Sequence, residues 1–468
     1  MRTDTVRPAV TELRLSAFKC HRRVTLPLGP VTMLSGGSGS GKSSALQAYE
    51  ILARLGSGES LARAVREVTG DPSACVPAGA RPDGQGRRGF RLGCTVDGPA
   101  GPVDLDLAVQ AEPELRIVGE RLTGGGETLL STALTDPTRR AVQAAWHTAG
   151  ATPVTRAPLP DDRLGTSLLP LRVAGRTEGQ RLVLAAAEQV VVALRSAFVC
   201  DPRPEMMRWP EERAGAGEER VGARENGGSR RSGGSRRSGG SGSDRGAAEA
   251  RVAGARKGSG SGGHGGGRDG SPEPDEGRLR SSCENLPAVL ERTSRECTRR
   301  HAVLVAAVRE ACAGPVDGLR AVPRQAGAGE GAAAASVAGG SAGPAGVRTG
   351  QGAGEAGLRA VVDRGELGEM PVDQLGDGEL RFLALALVLL TGPGVLAMDP
   401  AGEIPSARQQ MTVMADGLDR CMDRRQAREL MSLAVRMAER GHVRVLGTVR
   451  DPSAAEGLPG VQVLHLRA

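Results

Sequence analysis

An α/β fold is expected for this chain on three observations. A short apolar run, "VTMLS" at 31–35, leads through a glycine-rich loop into "GKSSALQAYEILARL", where Leu46, Tyr49, Leu52 and Leu55 recur every third residue, as on one face of a helix. Runs that alternate apolar and polar side chains fill 11–35 and return between Gly89 and Leu130, the period of strands. Helical periodicity dominates "GQRLVLAAAEQVVVALRSAF" at 179–198 and "NLPAVLERTSRECTRRHAVLVAAVREAC" at 285–312.

Taken in order, "TELRLSAF", "RVTLPLG" and "PVTMLSG" read as strands broken by turns, and the helix from Lys42 follows. "GFRLGCTV", "VDLDLAV" and "LRIVGERL" are separated by Gly, Pro and Asp and predict antiparallel hairpins laid beside the first strands. Residues 138–200 read as helical. From 213 to 277 the chain runs through "GGSRRSGGSRRSGGSGS" and similar, with almost nothing to bury, so an insertion without fixed structure is expected. The Ala/Gly-rich stretch 325–356 reads the same way. The expected divisions are 1–135, 136–212, 213–277, 278–324, 325–356 and 357–468. Several domains, or one domain assembled from the two chain ends, both fit this pattern.

Composition says less than usual. The 69 glycines, 29 prolines and 1% aromatic content would ordinarily signal disorder, yet lysine stands only at Lys19, Lys42 and Lys257 while arginine abounds, the mark of a coding bias. The net charge of +7 is spread along the chain, so a solvated arginine-rich surface competes with a nucleic-acid partner. A DNA tether in the Ser/Arg repeats is open on the same terms, because arginine neutralises phosphate without a fold. Eight cysteines without a Cys-x-x-Cys pair imply a reduced, cytoplasmic protein. The N-terminus lacks the apolar core of a signal peptide, and no apolar span is long enough for a bilayer, so no membrane partner is expected.

"GGSGSGKSS", Gly36, Gly37, Ser38, Gly39, Ser40, Gly41, Lys42, Ser43 and Ser44, fits the phosphate-binding loop: glycine, four residues, then Gly-Lys-Ser. Glycines let backbone amides converge on phosphate oxygens, Lys42 reaches the outer phosphates, and the Ser43 hydroxyl ligates Mg2+. Where arginine is the default cation, position 42 keeps the compact ammonium. Such a loop needs an aspartate at the end of a neighbouring strand to hold the metal's waters, and Asp399 after "GVLAM" is the expected residue.

Just upstream stands "LGDGELRFLALAL", a glycine turn opening an apolar helix. Together with the loop it resembles the ABC-class P-loop ATPases, and most closely the RecF/SMC-like branch with its AAA family and OLD-like members. "LRLSAFKCHRRVTLPLGPVTMLSGGSGSGKSSALQAYEIL" is similar to the family's opening, and "SLLPL", "VCDPRPEMMR" and "SCENLPAVLER" resemble its middle portion. The resemblance implies a split ATPase head with a mixed sheet, a mainly helical middle lobe, ATP and Mg2+ as ligands, and a homodimer closed around ATP. Gly376, Asp377, Gly378 and Glu379 would then face the γ-phosphate held by the other copy. Roles in DNA repair, genome maintenance or phage defence go with it, as does an unknown protein partner.

Three positions depart from the family pattern: Gly376 replaces a serine, Pro400 the water-activating glutamate, and Val449 a histidine. Loss of a general base costs about 10²- to 10⁴-fold in rate, so ATP binding with slow turnover is expected. Glu403 could serve as a displaced base and Arg450 as a replacement cation. The alternative is a regulatory or scaffolding protein that binds ATP and catalyses little. A P-loop kinase or small GTPase leaves the "LGDGE" turn unexplained, and there is no guanine-reading Asn-Lys-x-Asp.

Overall fold

The computed structural model describes residues 7–148, 154–208, 278–323, 358–392, 395–396 and 410–467. The segments expected to be disordered, 213–277 and 325–356, lie outside these.

Eight strands build an antiparallel sheet in the order β2-β1-β4-β5-β6-β7-β8-β9. They are β1 (Ala9–Phe18), β2 (His21–Pro27), β4 (Arg88–Asp97), β5 (Val103–Glu112), β6 (Arg116–Gly124), β7 (Glu127–Ala133), β8 (Ala141–His147) and β9 (Val154–Pro160). Five strands build a parallel sheet in the order β10-β14-β15-β3-β16: β3 (Val31–Ser35), β10 (Ala197–Val199), β14 (Met411–Ala415), β15 (Val443–Thr448) and β16 (Val461–His465). A small antiparallel sheet joins β11 (Gly318–Pro323), β12 (Leu358–Asp363) and β13 (Glu369–Pro371). The α/β class is as expected; among the described residues parallel and antiparallel strands are sorted into separate sheets.

The helices are α1 (Lys42–Gly56), α2 (Leu61–Thr69), α3 (Gly165–Leu168), α4 (Glu178–Arg195), α5 (Pro204–Arg208), α6 (Leu286–Glu296), α7 (Thr298–Ala311), α8 (Asp377–Leu390) and α9 (Arg424–Glu439). No helix among the described residues is long and apolar enough to cross a membrane.

The parallel sheet separates two cores, because successive side chains on a strand point to opposite faces. Met33, Val413 and Val445 face one core with α8 and α9, whereas Leu34, Met414 and Leu446 face the other with α1, α4 and the antiparallel sheet. β3 is buried along its whole length, as a strand covered on both faces must be. Helix α1 lays Leu46, Tyr49, Leu52 and Leu55 into the second core, and its last residue, Gly56, meets α4 so closely that a Cβ there would lie 2.6 Å from the Leu194 Cβ. Phe18 and Phe90 meet edge to face at 5.7 Å between centroids. All eight cysteines are free, and the buried Cys200 and Cys283 sulfurs lie 3.9 Å apart.

One stretch differs from expectation. Ala141–His147 and Val154–Pro160 are the strands β8 and β9, not helix. In "AVQAAWH" the buried residues are Val142, Ala144 and Trp146, a period of two that the small alanines disguise. Pro158 and Pro160 sit in β9, the edge strand, where an absent N–H breaks no ladder bond on the open side. The expected helix at 285–312 is present as the pair α6 and α7.

Trp146→Ala is expected to destabilise the chain by about 3–5 kcal/mol, since the indole is 4% exposed in the second core. Half-buried Gln143, on the opposite face of the strand, should lose less on change to alanine, about 1 kcal/mol or below. Urea unfolding of both variants checks the pair, and equal losses would contradict the strand pattern.

Candidate functional site

The glycine-rich loop leaves β3 and enters α1 by a path that needs glycine at two points. Gly36 has φ 144, and a Cβ there would lie 2.4 Å from the carbonyl oxygen of Leu466, the residue that follows β16. Gly41 has φ 90, and its Cβ would lie 2.4 Å from the His21 Nε2. His21 is 5% exposed, and its Nε2 lies 2.9 Å from the Gly41 carbonyl oxygen, tying the loop's last turn to the β1–β2 hairpin. Between these anchors Gly37, Ser38 and Gly39 are exposed. The Lys42 ammonium donates to the carbonyls of Gly36 at 2.7 Å and Gly37 at 3.0 Å, so it is held over the loop. The Ser40 hydroxyl is buried and has no hydrogen-bond partner among the described residues.

Beside the loop an open cavity is lined by Ser43 and Gln47 of α1, by Asp201 and Arg203 after β10, and by Asp416 after β14. Asp416 ends a strand two places from β3, with β15 between. Its Oδ1 accepts from the Thr448 hydroxyl at 2.6 Å, and that hydroxyl accepts from the Gly417 N–H at 2.7 Å. The last residue of β15 thus aims the carboxylate of β14. Ser43 and Asp416 are therefore brought together at the C-terminal edge of the parallel sheet, next to Lys42.

Asp399, Pro400 and Glu403 lie outside the described residues. Asp416 is a site residue that sequence reading passed over, although its signal was present: "MTVMAD" at 411–416 is an apolar run ended by aspartate, the same form as "GVLAMD". Arg381 was also missed. It is 1% exposed on α8, which is apolar from Phe382 onward, and its guanidinium donates to the carbonyls of Pro202 at 2.5 Å and Gly417 at 3.0 Å while lying 3.8 Å from Asp201 Oδ1. Its Nε has no partner among the described residues.

The turn at Gly376–Glu379 opens α8. The Glu379 carboxylate accepts from the Gly376 N–H at 3.3 Å, and Asp377 pairs with Arg208 at 2.7 Å. Gly376 and Asp377 are exposed, and none of the four residues lines the cavity of their own chain. Gly378 is buried against the α9 entrance, where a Cβ would lie 2.3 Å from the Cys421 carbonyl oxygen. Val449 is buried in the first core, its N–H donating to the Leu34 carbonyl at 2.9 Å. The exposed Arg450 follows it, and the backbone amides of Arg450 and Asp451 donate to the Asp419 carboxylate at 2.8–3.0 Å. Hydrogen bonds from the Ser453 hydroxyl and amide hold the Asp451 carboxyl below its usual range. A hydrogen bond with Cys283 and burial push the Cys200 thiol well up, which makes it inert packing rather than a nucleophile.

Strand, glycine loop and helix, inserted in a parallel sheet with an aspartate two strands away, define a P-loop α/β fold. No protein-family model matches the chain, and no curated protein does. Among solved structures it is similar to the Smc head domain with an extended coiled coil bound to the C-terminal domain of ScpA, from Pyrococcus furiosus: 10% identity, 98% of this chain, 94% of that one and a TM-score of 0.40. It is similar also to the SMC head domain from Thermotoga maritima, with 10% identity, coverage of 96% and 92% and a TM-score of 0.35. The recombination mediator RecF bound to ATP matches over 26% of this chain and 29% of that one, at 14% identity and a TM-score of 0.19. These neighbours are ABC-class P-loop ATPases of the RecF/SMC-like kind.

Gly378→Ala is expected to reverse the usual rule for helices, where alanine gains up to about 1 kcal/mol over glycine. Collision with the backbone at Cys421 should instead cost about 1–3 kcal/mol, read as a lower urea midpoint; a gain in stability would show that the contact is loose.

Proposed function

We propose that this chain binds Mg-ATP at the glycine loop and hydrolyses it slowly, two copies closing around the nucleotide. The observation that carries the reading is that Ser43 and the Thr448-anchored Asp416 line one cavity beside Lys42. Loop amides and the N-terminus of α1 supply donors to the phosphates. The unpartnered Ser40 hydroxyl and the Lys42 ammonium, held only by backbone carbonyls, are groups that a phosphate would satisfy. Mg2+ would be held by the Ser43 hydroxyl and, through water, by Asp416, and it would neutralise charge on the outer phosphates.

Closure between copies is supported by the exposed Gly376 and Asp377, which open a buried helix yet leave their own cavity untouched. Slow turnover is supported by Gly417 directly after Asp416, since glycine has no group to take a proton, and by the burial of Val449. Service to DNA in repair, genome maintenance or phage defence is the wider role that fits an ATP-closed clamp; a weakly catalytic scaffold is the alternative outcome.

Lys42→Ala should abolish ATP binding, and Asp416→Asn should weaken binding at least 10-fold in Mg2+ while leaving Mg-free binding unchanged, both by calorimetry. Light scattering should show the wild-type mass doubling with Mg-ATP, with phosphate release below one turnover per minute and rising when DNA is added. ATP binding that survives Lys42→Ala would sink the site, and an unchanged mass would sink the dimer. No response to DNA would favour the scaffold.

A further inference from the structure

The structure assigns the missing proton acceptor to Asp201, on the loop after β10. This rests on the nucleotide reading above. Strands β10 and β14 are parallel with Val199 opposite Met414, and the Cys200 N–H still donates to the Met414 carbonyl at 2.8 Å. Asp201 and Asp416 each follow by two residues this last paired position, just past the ends of strands about 4.8 Å apart. Both line the cavity that holds Ser43.

The loop is pinned rather than loose. The Asp201 N–H donates to the Ser281 carbonyl at 2.9 Å and the Arg203 N–H to the Ser282 carbonyl at 3.1 Å. Arg203 Nε donates to Asp201 Oδ2 at 3.2 Å, and the buried Arg381 lies 3.8 Å from Oδ1, so a cation flanks the carboxylate on each side. The unpartnered Nε of Arg381 leaves that guanidinium short of one acceptor beside the cavity.

Three other carboxylates nearby are committed. Asp416 is held by Thr448, Asp419 by the two amides after β15, and Glu50 by Arg54 at 3.0 Å. Glu67 stands exposed on α2. Asp201 is half-buried, with a side-chain exposure of 35% that leaves it reachable by water. In the assigned step a water oxygen forms a bond to the γ-phosphorus while its proton passes to an Asp201 carboxylate oxygen. The bond from the γ-phosphorus to the bridging oxygen breaks, ADP leaves with the electron pair, and the carboxyl returns its proton to solvent.

Full-length Asp201→Asn and Asp201→Glu chains test the assignment by Mg-ATP affinity and single-turnover phosphate release, with thermal unfolding as a control. Asp201→Asn should bind within about threefold of wild type and release phosphate about 10²- to 10⁴-fold more slowly; Asp201→Glu should keep part of the rate. If Asp201→Asn fails to fold, Asp201→Ser supplies the same two numbers. Equal rates in Asp201→Asn and wild type, loss of affinity matching the loss of rate, or a wild type that binds ATP and never releases phosphate would each overturn it. A wild type that fails to bind ATP at all refutes the nucleotide reading instead.

Discussion

Hydrogen bonds at the last two residues of β3 fix where the site begins. The Leu34 carbonyl accepts from Val449 on one side, and the Ser35 carbonyl accepts from Leu466 on the other, at 2.9 and 2.8 Å. The Ser35 hydroxyl adds a contact of 2.6 Å to His465 Nδ1. A strand clamped on both edges up to its final residue cannot slide, so the glycine loop starts from a rigid point. Because each clamp joins residues more than 400 positions apart, the loop's geometry exists only when both chain ends have folded together. A catalytic or binding loop gains most from this, since small misplacements of phosphate-directed donors are costly.

Rigid support continues around the cavity through side chains that bond to backbone. His21 holds the loop's final glycine, Thr448 holds Asp416 and the amide after it, and Arg381 joins the carbonyls after β10 and β14 to the helix opened by the Gly376 turn. Arg381 is costly to bury, and it is retained where three segments from distant parts of the chain must agree in position. Its buried charge faces Asp201, and the helix is apolar from Phe382 onward, so the cost of burial is met at the cavity end.

How much of this was legible depends on what each signal requires. The loop from Gly36 to Ser44 could be read because its chemistry constrains residue type at fixed spacing. The same holds for the Gly376–Glu379 turn and the strand α1 follows. The strand at 141–147 was not legible, because alanine fits helix and strand alike and the period of two survives only in Val142, Ala144 and Trp146. Asp416 was obscured by duplication: two apolar runs end in aspartate within twenty residues, and only strand order says that β14 lies two places from β3. Arg381 and Asp201 were invisible for a different reason. Their roles come from register and burial between segments about 180 residues apart, which no local pattern records.

Gly417 gives a reason for the proposed proton acceptor to come from another segment. Its backbone has φ 63, in the left-handed region, so that its amide meets Thr448 and its carbonyl meets Arg381. A residue with a side chain pays about 1–2 kcal/mol to adopt that conformation, and a Cβ there would also press on Arg420 at 3.3 Å. Restoring a glutamate at 417 would therefore act against the two hydrogen bonds that aim Asp416 and anchor Arg381. A carboxylate placed on the next strand escapes that conflict, because β10 ends at the same edge of the sheet with a free choice of side chain. On the proposed reading, metal-holding and proton-accepting carboxylates are then divided between the loops that follow adjacent strands, and the buried Arg381, which touches both loops, keeps them in place.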